Sequence, residues 1–191
     1  MAIPGLDAAR EVLASFGLPG GIVTHSEGVE RVAAEAARMV QRAGIPVEIR
    51  LVEVAALLHD IDKPETRETP DEHGLVAARR LSAMGYAELA VPIASHPLAC
   101  LLDQERFPIG WPSVLVSLAD KHVAQCFMTI DERLDDMAQR YPLYRGEIES
   151  ARRPAHALEQ ELADAVGMSV VAIVEQLRAA WAAGARQDVA E

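Results

Sequence analysis

The sequence has few aromatic residues and no long hydrophobic run. Only 4% of its 191 residues are Phe, Trp or Tyr, although 50% are hydrophobic, so Ala, Leu and Val carry most of the apolar positions. This mixture suits close helix packing better than strands. No apolar run approaches the ~18 residues that a membrane span needs. The composition therefore predicts an all-α protein without a membrane segment.

Cysteine and lysine are also scarce. Cys100 and Cys126 are well separated and form no C-x-x-C pair, so a disulfide scaffold is excluded and we expect both thiols to be reduced.

The N-terminus lacks the basic stretch and long apolar segment of a signal peptide, which predicts a cytoplasmic protein. Lysine occurs only at Lys63 and Lys121, against sixteen arginines. Because lysine is so rare in this chain, Lys63 and Lys121 are considered as candidate functional residues.

Positive charge is in deficit over the whole chain. The formal net charge is -11 at pH 7. A surface of this sign repels nucleic acid and anionic membranes. We therefore expect a small-molecule substrate, with no nucleic-acid polymer and no membrane as partner. The oligomeric state stays open.

The length suits one well-cored domain, so we expect residues 1–191 to form a single domain. Apolar residues at helical spacing predict successive helices that end near Gly or Pro. We expect a core over about 20–125 and C-terminal helices over about 131–183 packing on it. Asp71 is expected to cap a helix with His73 in its first turn, and Pro154 to interrupt the segment after Tyr144.

One apolar helix ends in an unusual polar pair. In Leu57-Leu58-His59-Asp60, an imidazole and a carboxylate follow directly on a buried run, and Pro64 ends the helix soon afterwards. Burying both groups costs free energy unless something pairs with them. A metal ion is an obvious partner for such a pair.

Other histidines are predicted at or near helix ends. Four helices can then direct imidazoles and carboxylates into one cavity, and the candidates are His25, His59, His73, His96, Asp60 and Asp120. A single His on an apolar face is more often a hydrogen-bonded core residue, so only the set as a whole indicates a site. Mixed His and carboxylate ligands favour Fe or Mn, while Zn, Co, Ni or Mg stay admissible.

The order of these residues resembles the HD superfamily of metal-dependent phosphohydrolases. The shared pattern reads His25, His59-Asp60, His73, His96 and Asp120, and it spans about residues 20–122. The resemblance implies an HD-domain helical bundle with two divalent metal ions. It implies that His25, His59, Asp60 and Asp120 hold one ion and that His73 and His96 hold the other. Asp60 would be shared, with a bridging water or hydroxide between the ions.

The family often has Gly and then Lys after the His-Asp pair. This chain has Asp62 and Lys63, so the Lys matches whereas Asp62 leaves the local loop geometry and the substrate choice open. We interpret Asp60 and Lys63 as catalytic, and Lys63 and Lys121 as substrate contacts. Lys63 can instead be a cation at a helix C-terminus, and Lys121 an ion-pair partner of Asp120 or a surface residue.

The resemblance implies a phosphohydrolase that acts on a small phosphate ester, with a nucleotide as the family-level expectation. Two ions about 3.5 to 4 Å apart can activate a water and polarise a phosphoryl oxygen. Two alternatives stay open. An HD-type di-iron oxygenase uses the same ligand order with O₂, and a nucleotide or metal sensor keeps the site for binding only.

Overall fold

The computed structural model describes residues 3–187. Within that range the chain forms nine α-helices joined by turns and short 3₁₀ segments, and no strand. The helices are α1 (Leu6–Ser15), α2 (Gly20–Arg42), α3 (Ile49–Leu58), α4 (Leu75–Ala83), α5 (Ala90–Ala94), α6 (Trp111–His122), α7 (Ile130–Arg140), α8 (Arg145–Val166) and α9 (Val170–Gln187). The predicted all-α helical bundle is confirmed.

Helix α2 lies at the centre of the bundle. It is 23 residues long and contacts α3, α6, α8 and α9. Small residues on α2 allow this close packing: a Cβ on Gly28 would lie 3.0 Å from the Val123 side chain and 3.3 Å from that of Trp181. Helices α8 and α9 thus contact the same central helix as α3 and α6.

The assignment of residues 1–191 to one domain stays a prediction, and residues 1, 2 and 188–191 lie outside the described range.

Two helix boundaries near the polar pair differ from the prediction. Helix α3 ends at Leu58, so His59 is its C-cap and Asp60 lies in the following turn. Helix α4 begins at Leu75 after Gly74, which has φ +78°. The predicted cap by Asp71 is wrong, because Asp71 lies in a separate 3₁₀ turn before His73. His73 therefore precedes the helix instead of lying in its first turn.

The predicted interruption at Pro154 is also wrong. Helix α8 continues through Pro154 from Arg145 to Val166. Proline removes one backbone donor, which leaves the carbonyl of Ser150 without its helical partner. Ser150 is exposed to solvent, so water can satisfy that carbonyl. The buried face of the helix, which includes Ala151 and Leu158, continues on both sides of the proline.

No described helix is both long enough and apolar enough to span a lipid bilayer. The cytoplasmic location stays a prediction.

A polar network joins α7 to α8. On α8, His156 lies 3.3 Å from the Glu159 carboxylate through Nδ1 and 3.1 Å from Asp131 through Nε2. Burial alone would lower the pKa of His156, but hydrogen bonds with Asp131 and Glu159 outweigh burial and raise that pKa above its ordinary value. The imidazolium is therefore favoured by folding.

Replacement of His156 by Gln should remove a pH-dependent part of the free energy of unfolding. Because the pKa of His156 is raised on folding, its stabilisation is complete below the unfolded value of about 6.5 and disappears as pH rises through the folded value. His156 is 41% exposed, so we expect only about 0.2–1 kcal/mol. Urea unfolding at pH 5.5 and pH 9 measures this difference. An equal effect of the substitution at both values would contradict the assignment.

Candidate metal centre

Six side chains converge where α2, the ends of α3 and α5, the turn before α4 and the last turn of α6 meet. They are His25, His59, Asp60, His73, His96 and Asp120. Their positions follow from local sequence. His25 lies on the buried face of α2, and His59 and Asp60 follow the buried run of α3. The chain thus brings together all six predicted residues.

The first group of side chains contains His25, His59 and Asp120. The Nε2 atoms of His25 and His59 are 3.2 Å apart. Asp120 Oδ1 lies 3.1 Å from His25 Nε2 and 3.7 Å from His59 Nε2. Both imidazoles are buried, with His25 only 6% and His59 0% exposed. These three residues have ligand atoms close enough together to hold one ion.

The second group contains His73 and His96. Their Nε2 atoms are also 3.2 Å apart. His96 is buried, whereas the side chain of His73 is 18% exposed. This group is therefore the more accessible of the two.

Asp60 lies between the two groups and is 1% exposed. Its Oδ2 is 3.5 Å from His25 Nε2. Its Oδ1 is 3.2 Å from His73 Nε2 and 3.6 Å from His96 Nε2. One carboxylate thus faces both groups, which is the arrangement that a shared ligand requires.

The ring orientations leave Nε2 directed into the centre. His59 Nδ1 lies 2.6 Å from the Ala56 carbonyl, and His96 Nδ1 lies 2.6 Å from the Ile93 carbonyl. A carbonyl can only accept, so each Nδ1 must carry the proton. With Nδ1 engaged in this way, each ring directs Nε2 toward the other side chains of the centre. A metal-ligating histidine commonly makes this kind of contact through its other nitrogen.

These residues fit a metal site on structural grounds. The Nε2 atoms of His25 and His59 face each other at 3.2 Å, a distance at which two unprotonated nitrogens repel unless a cation lies between them. Asp60 Oδ1 is buried, and no donor of the described residues is well aligned with it. An unpaired buried acceptor of this kind costs about 1–3 kcal/mol. Cation binding would remove both penalties.

The charges of the two carboxylates also suit cation binding. Burial alone would raise the pKa of Asp60, but the neighbouring His59 imidazole, the Lys63 ammonium and the close imidazoles of His73 and His96 hold it well below its ordinary value. The pKa of Asp120 is lowered in the same way: burial is outweighed by the Lys121 ammonium and by the close imidazoles of His25 and His59. Both carboxylates are therefore ionised at neutral pH.

The histidines of the centre differ in the direction in which the protein shifts their pKa values. Burial lowers the pKa of His96 to about 3 and lowers that of His25. His73 differs, because the carboxylates of Asp60 and Asp62 outweigh burial and raise its pKa to about 9. The imidazolium form of His73, which carries a second ring proton, is thus favoured at neutral pH. A bound ion would take the place of that proton.

Lys63 lies at the edge of the centre. Its ammonium donates to Asp60 Oδ2 at 2.6 Å, and its side chain is 43% exposed. Burial alone would lower the pKa of Lys63, but the charges of Asp60 and Asp120 outweigh it and raise the pKa, with Arg133 opposing the rise. Lys63 is therefore a cation that contacts both the centre and solvent.

Lys121 is 1% exposed. Its ammonium donates to the His96 carbonyl at 2.7 Å and to Asp120 Oδ2 at 2.9 Å. It thus ties a residue of the first group to the backbone of the second. The predicted ion pair with Asp120 is present, whereas its contact with a substrate stays a prediction.

Two residues near the centre were not identified from the sequence. Asp62 is fully buried and accepts a hydrogen bond from His73 Nδ1 at 2.8 Å. Arg133 of α7 is 9% exposed and close enough to lower the pKa of Lys63. The departure of Asp62 from the usual Gly was a visible signal. Nothing in the local sequence distinguished Arg133 from the other arginines.

Comparison with known families gives a match over more than half of the chain. A family model described as HD domain matches residues 22–125. The matched segment contains all six converging residues. The comparisons with curated proteins and with solved structures found no match.

Proposed function

Because this chain belongs to the HD domain family, we propose that it is a metal-dependent phosphohydrolase acting on a small phosphate ester or nucleotide. HD domains bind divalent metal ions, and their superfamily is one of metal-dependent hydrolases. The observation that carries the proposal is the position of Asp60 between two groups of imidazole nitrogens, with Lys63 beside it at the solvent edge.

The proposed ligands follow the two groups. His25, His59 and Asp120 would hold one ion, His73 and His96 the other, and Asp60 both. The mixture of imidazole and carboxylate donors favours Fe or Mn, with Zn, Co, Ni or Mg as further candidates. Two bound ions would supply Lewis acidity toward a phosphoryl oxygen and an activated water.

The chain itself contributes charge and orientation. Asp60 and Asp120 are held ionised, so neither has to lose a proton when a cation binds. Lys63 presents a fixed ammonium at the solvent edge, where negative charge grows on phosphoryl oxygens during hydrolysis. Arg133 is a second cation near Lys63. Lys121 acts from within, since its ammonium fixes Asp120 relative to the segment that carries His96.

Replacement of Lys63 by Met should lower kcat by about 10²–10³ without loss of metal, because a preorganised cation stabilises the transition state far more than the ground state. Metal content by mass spectrometry and steady-state kinetics test this separation. Lys63→Arg keeps the charge and should retain more activity than Lys63→Met. Wild-type kcat in metal-loaded Lys63→Met would exclude a catalytic role.

The function itself is tested on protein purified without added metal and then loaded with Mn, Fe, Co, Ni or Mg. A panel of nucleotides and phosphate monoesters and diesters is assayed for product release, in air and under nitrogen. Hydrolysis at equal rates in both atmospheres supports the proposal. Turnover that needs O₂ would instead indicate a di-iron oxygenase. Tight nucleotide binding without turnover under any condition would indicate a sensor.

A further inference from the structure

We propose that Asp62 is the positioning residue of the second ion site, and that its carboxylate sets which nitrogen of His73 faces the ion. The inference rests on the proposed metal centre but not on hydrolysis. It concerns a residue at which this chain departs from the Gly that often follows the His-Asp pair. Asp62 contacts neither the solvent nor the other ligands, and it would act only through His73.

Both carboxylate oxygens of Asp62 are buried and accept hydrogen bonds from other groups of the protein. The residue is 0% exposed. Its Oδ1 lies 2.8 Å from His73 Nδ1, and its Oδ2 accepts the backbone N–H groups of Gly74 at 2.8 Å and Ala77 at 2.9 Å. Three donors thus point at one buried carboxylate.

The contact determines the state of the His73 ring. Oδ2 already accepts two backbone N–H groups, and Oδ1 is the acceptor that faces the ring, so His73 Nδ1 must be the donor and carry a proton. Nε2 is then the atom directed at Asp60 Oδ1 and His96 Nε2, both at 3.2 Å. His59 and His96 achieve the same orientation through backbone carbonyls three residues earlier. His73 precedes its helix, and its ring nitrogen is held by Asp62 instead.

The same carboxylate fixes the ring relative to α4. Gly74 is the N-cap of that helix and Ala77 lies in its first turn, where backbone N–H groups lack helical partners. A carboxylate at this end is also favoured by the helix dipole. Asp62 therefore joins the turn after α3, which carries Asp60, to the start of α4, which follows His73. The distance between Asp60 and His73 depends on this connection.

Asp62→Asn separates ring orientation from helix capping. Both backbone donors point at one oxygen, so the amide oxygen of the introduced side chain should take that place and its NH₂ group should face His73 Nδ1. An NH₂ group donates, which forces Nδ1 to accept and moves the His73 proton to Nε2. The nitrogen that should bind the ion is then blocked, while the cap of α4 is kept.

The test measures metal binding and not turnover. Titration calorimetry with Mn²⁺ should give two ions for the wild type and a second-ion affinity about 10- to 100-fold weaker for Asp62→Asn. The first ion should bind with unchanged affinity. Asp103→Asn is a matched control, because Asp103 also accepts a backbone N–H, from Glu105, but does not contact a histidine. It should bind both ions as the wild type does.

A second measurement does not depend on any variant. Long-range ¹H–¹⁵N correlation spectra of the Zn²⁺-loaded wild type should show His73 with its proton on Nδ1. A proton on Nε2, fewer than two bound ions in the wild type, or equal second-ion affinity in Asp62→Asn would each overturn the inference. If the wild type binds two ions with these properties but hydrolyses no phosphate ester, the proposed function fails and the inference stands.

Discussion

Asp60→Asn is expected to abolish both metal retention and hydrolysis. Asp60 is the only described carboxylate within 4 Å of imidazoles from both groups, and it has distances of 3.5 Å to His25 and 3.2 Å to His73. An amide keeps the shape of the side chain but lacks the charge and has one oxygen instead of two. Neither ion site then keeps its shared ligand. Metal content after dialysis and phosphate release from the best substrate of the panel measure the effect.

Two further variants test whether the loss of metal in Asp60→Asn is specific to a shared ligand. Asp120 contacts only the first group, so Asp120→Asn should lose one ion and retain some of the other. His59→Ala should, like Asp60→Asn, leave neither activity nor stably bound metal. Thermal unfolding of each metal-free variant checks that the bundle is intact. Full activity in purified Asp60→Asn or His59→Ala would exclude the dinuclear proposal.

Gly74→Ala should produce the largest loss of stability. Gly74 has φ +78°, and a Cβ there would lie 2.8 Å from the Ile93 carbonyl and 3.3 Å from Pro97. The left-handed backbone alone costs a non-glycine residue about 1–2 kcal/mol. The clash with backbone adds strain, so we expect a total of about 3 kcal/mol or more. Urea unfolding of the metal-free protein measures the change.

Gly44→Ala is the matched control for that substitution. Gly44 has nearly the same φ, +81°, but a Cβ there would meet nothing within 4 Å. Its cost should therefore stay near the backbone value of about 1–2 kcal/mol. Equal costs at the two positions would mean that the contact between Gly74 and the end of α5 contributes nothing. Because His73 and His96 flank this contact, Gly74→Ala should also weaken the second ion site.

The helical class and the set of converging residues were predictable from local patterns. The apolar face of α2 carries His25, and the buried run of α3 ends directly at His59. Those features depend on spacing within one helix, which the sequence displays. The assignment of each residue to an ion came from the family resemblance and stays a prediction.

The errors have a common physical origin in packing between elements. Pro154 was expected to interrupt the segment after Tyr144, but a buried helical face on both sides of it outweighs one lost hydrogen bond. The helix start at Leu75 depends on Asp62, which reaches its partners 11 to 15 residues later in the chain. Lys121 is buried because the His96 carbonyl faces it across the bundle. No local pattern encodes contacts of this range.

The charges around the centre favour one class of substrate over another. The carboxylates of Asp60, Asp62 and Asp120 are balanced by the ammonium groups of Lys63 and Lys121 and by the His73 imidazolium, whose pKa is raised to about 9. The metal-free centre is therefore close to neutral, which lowers the free-energy cost of burying it. Two divalent ions would leave a strong excess of positive charge in a buried space. A phosphate dianion compensates that excess, whereas an uncharged substrate with a C–H bond to oxidise does not.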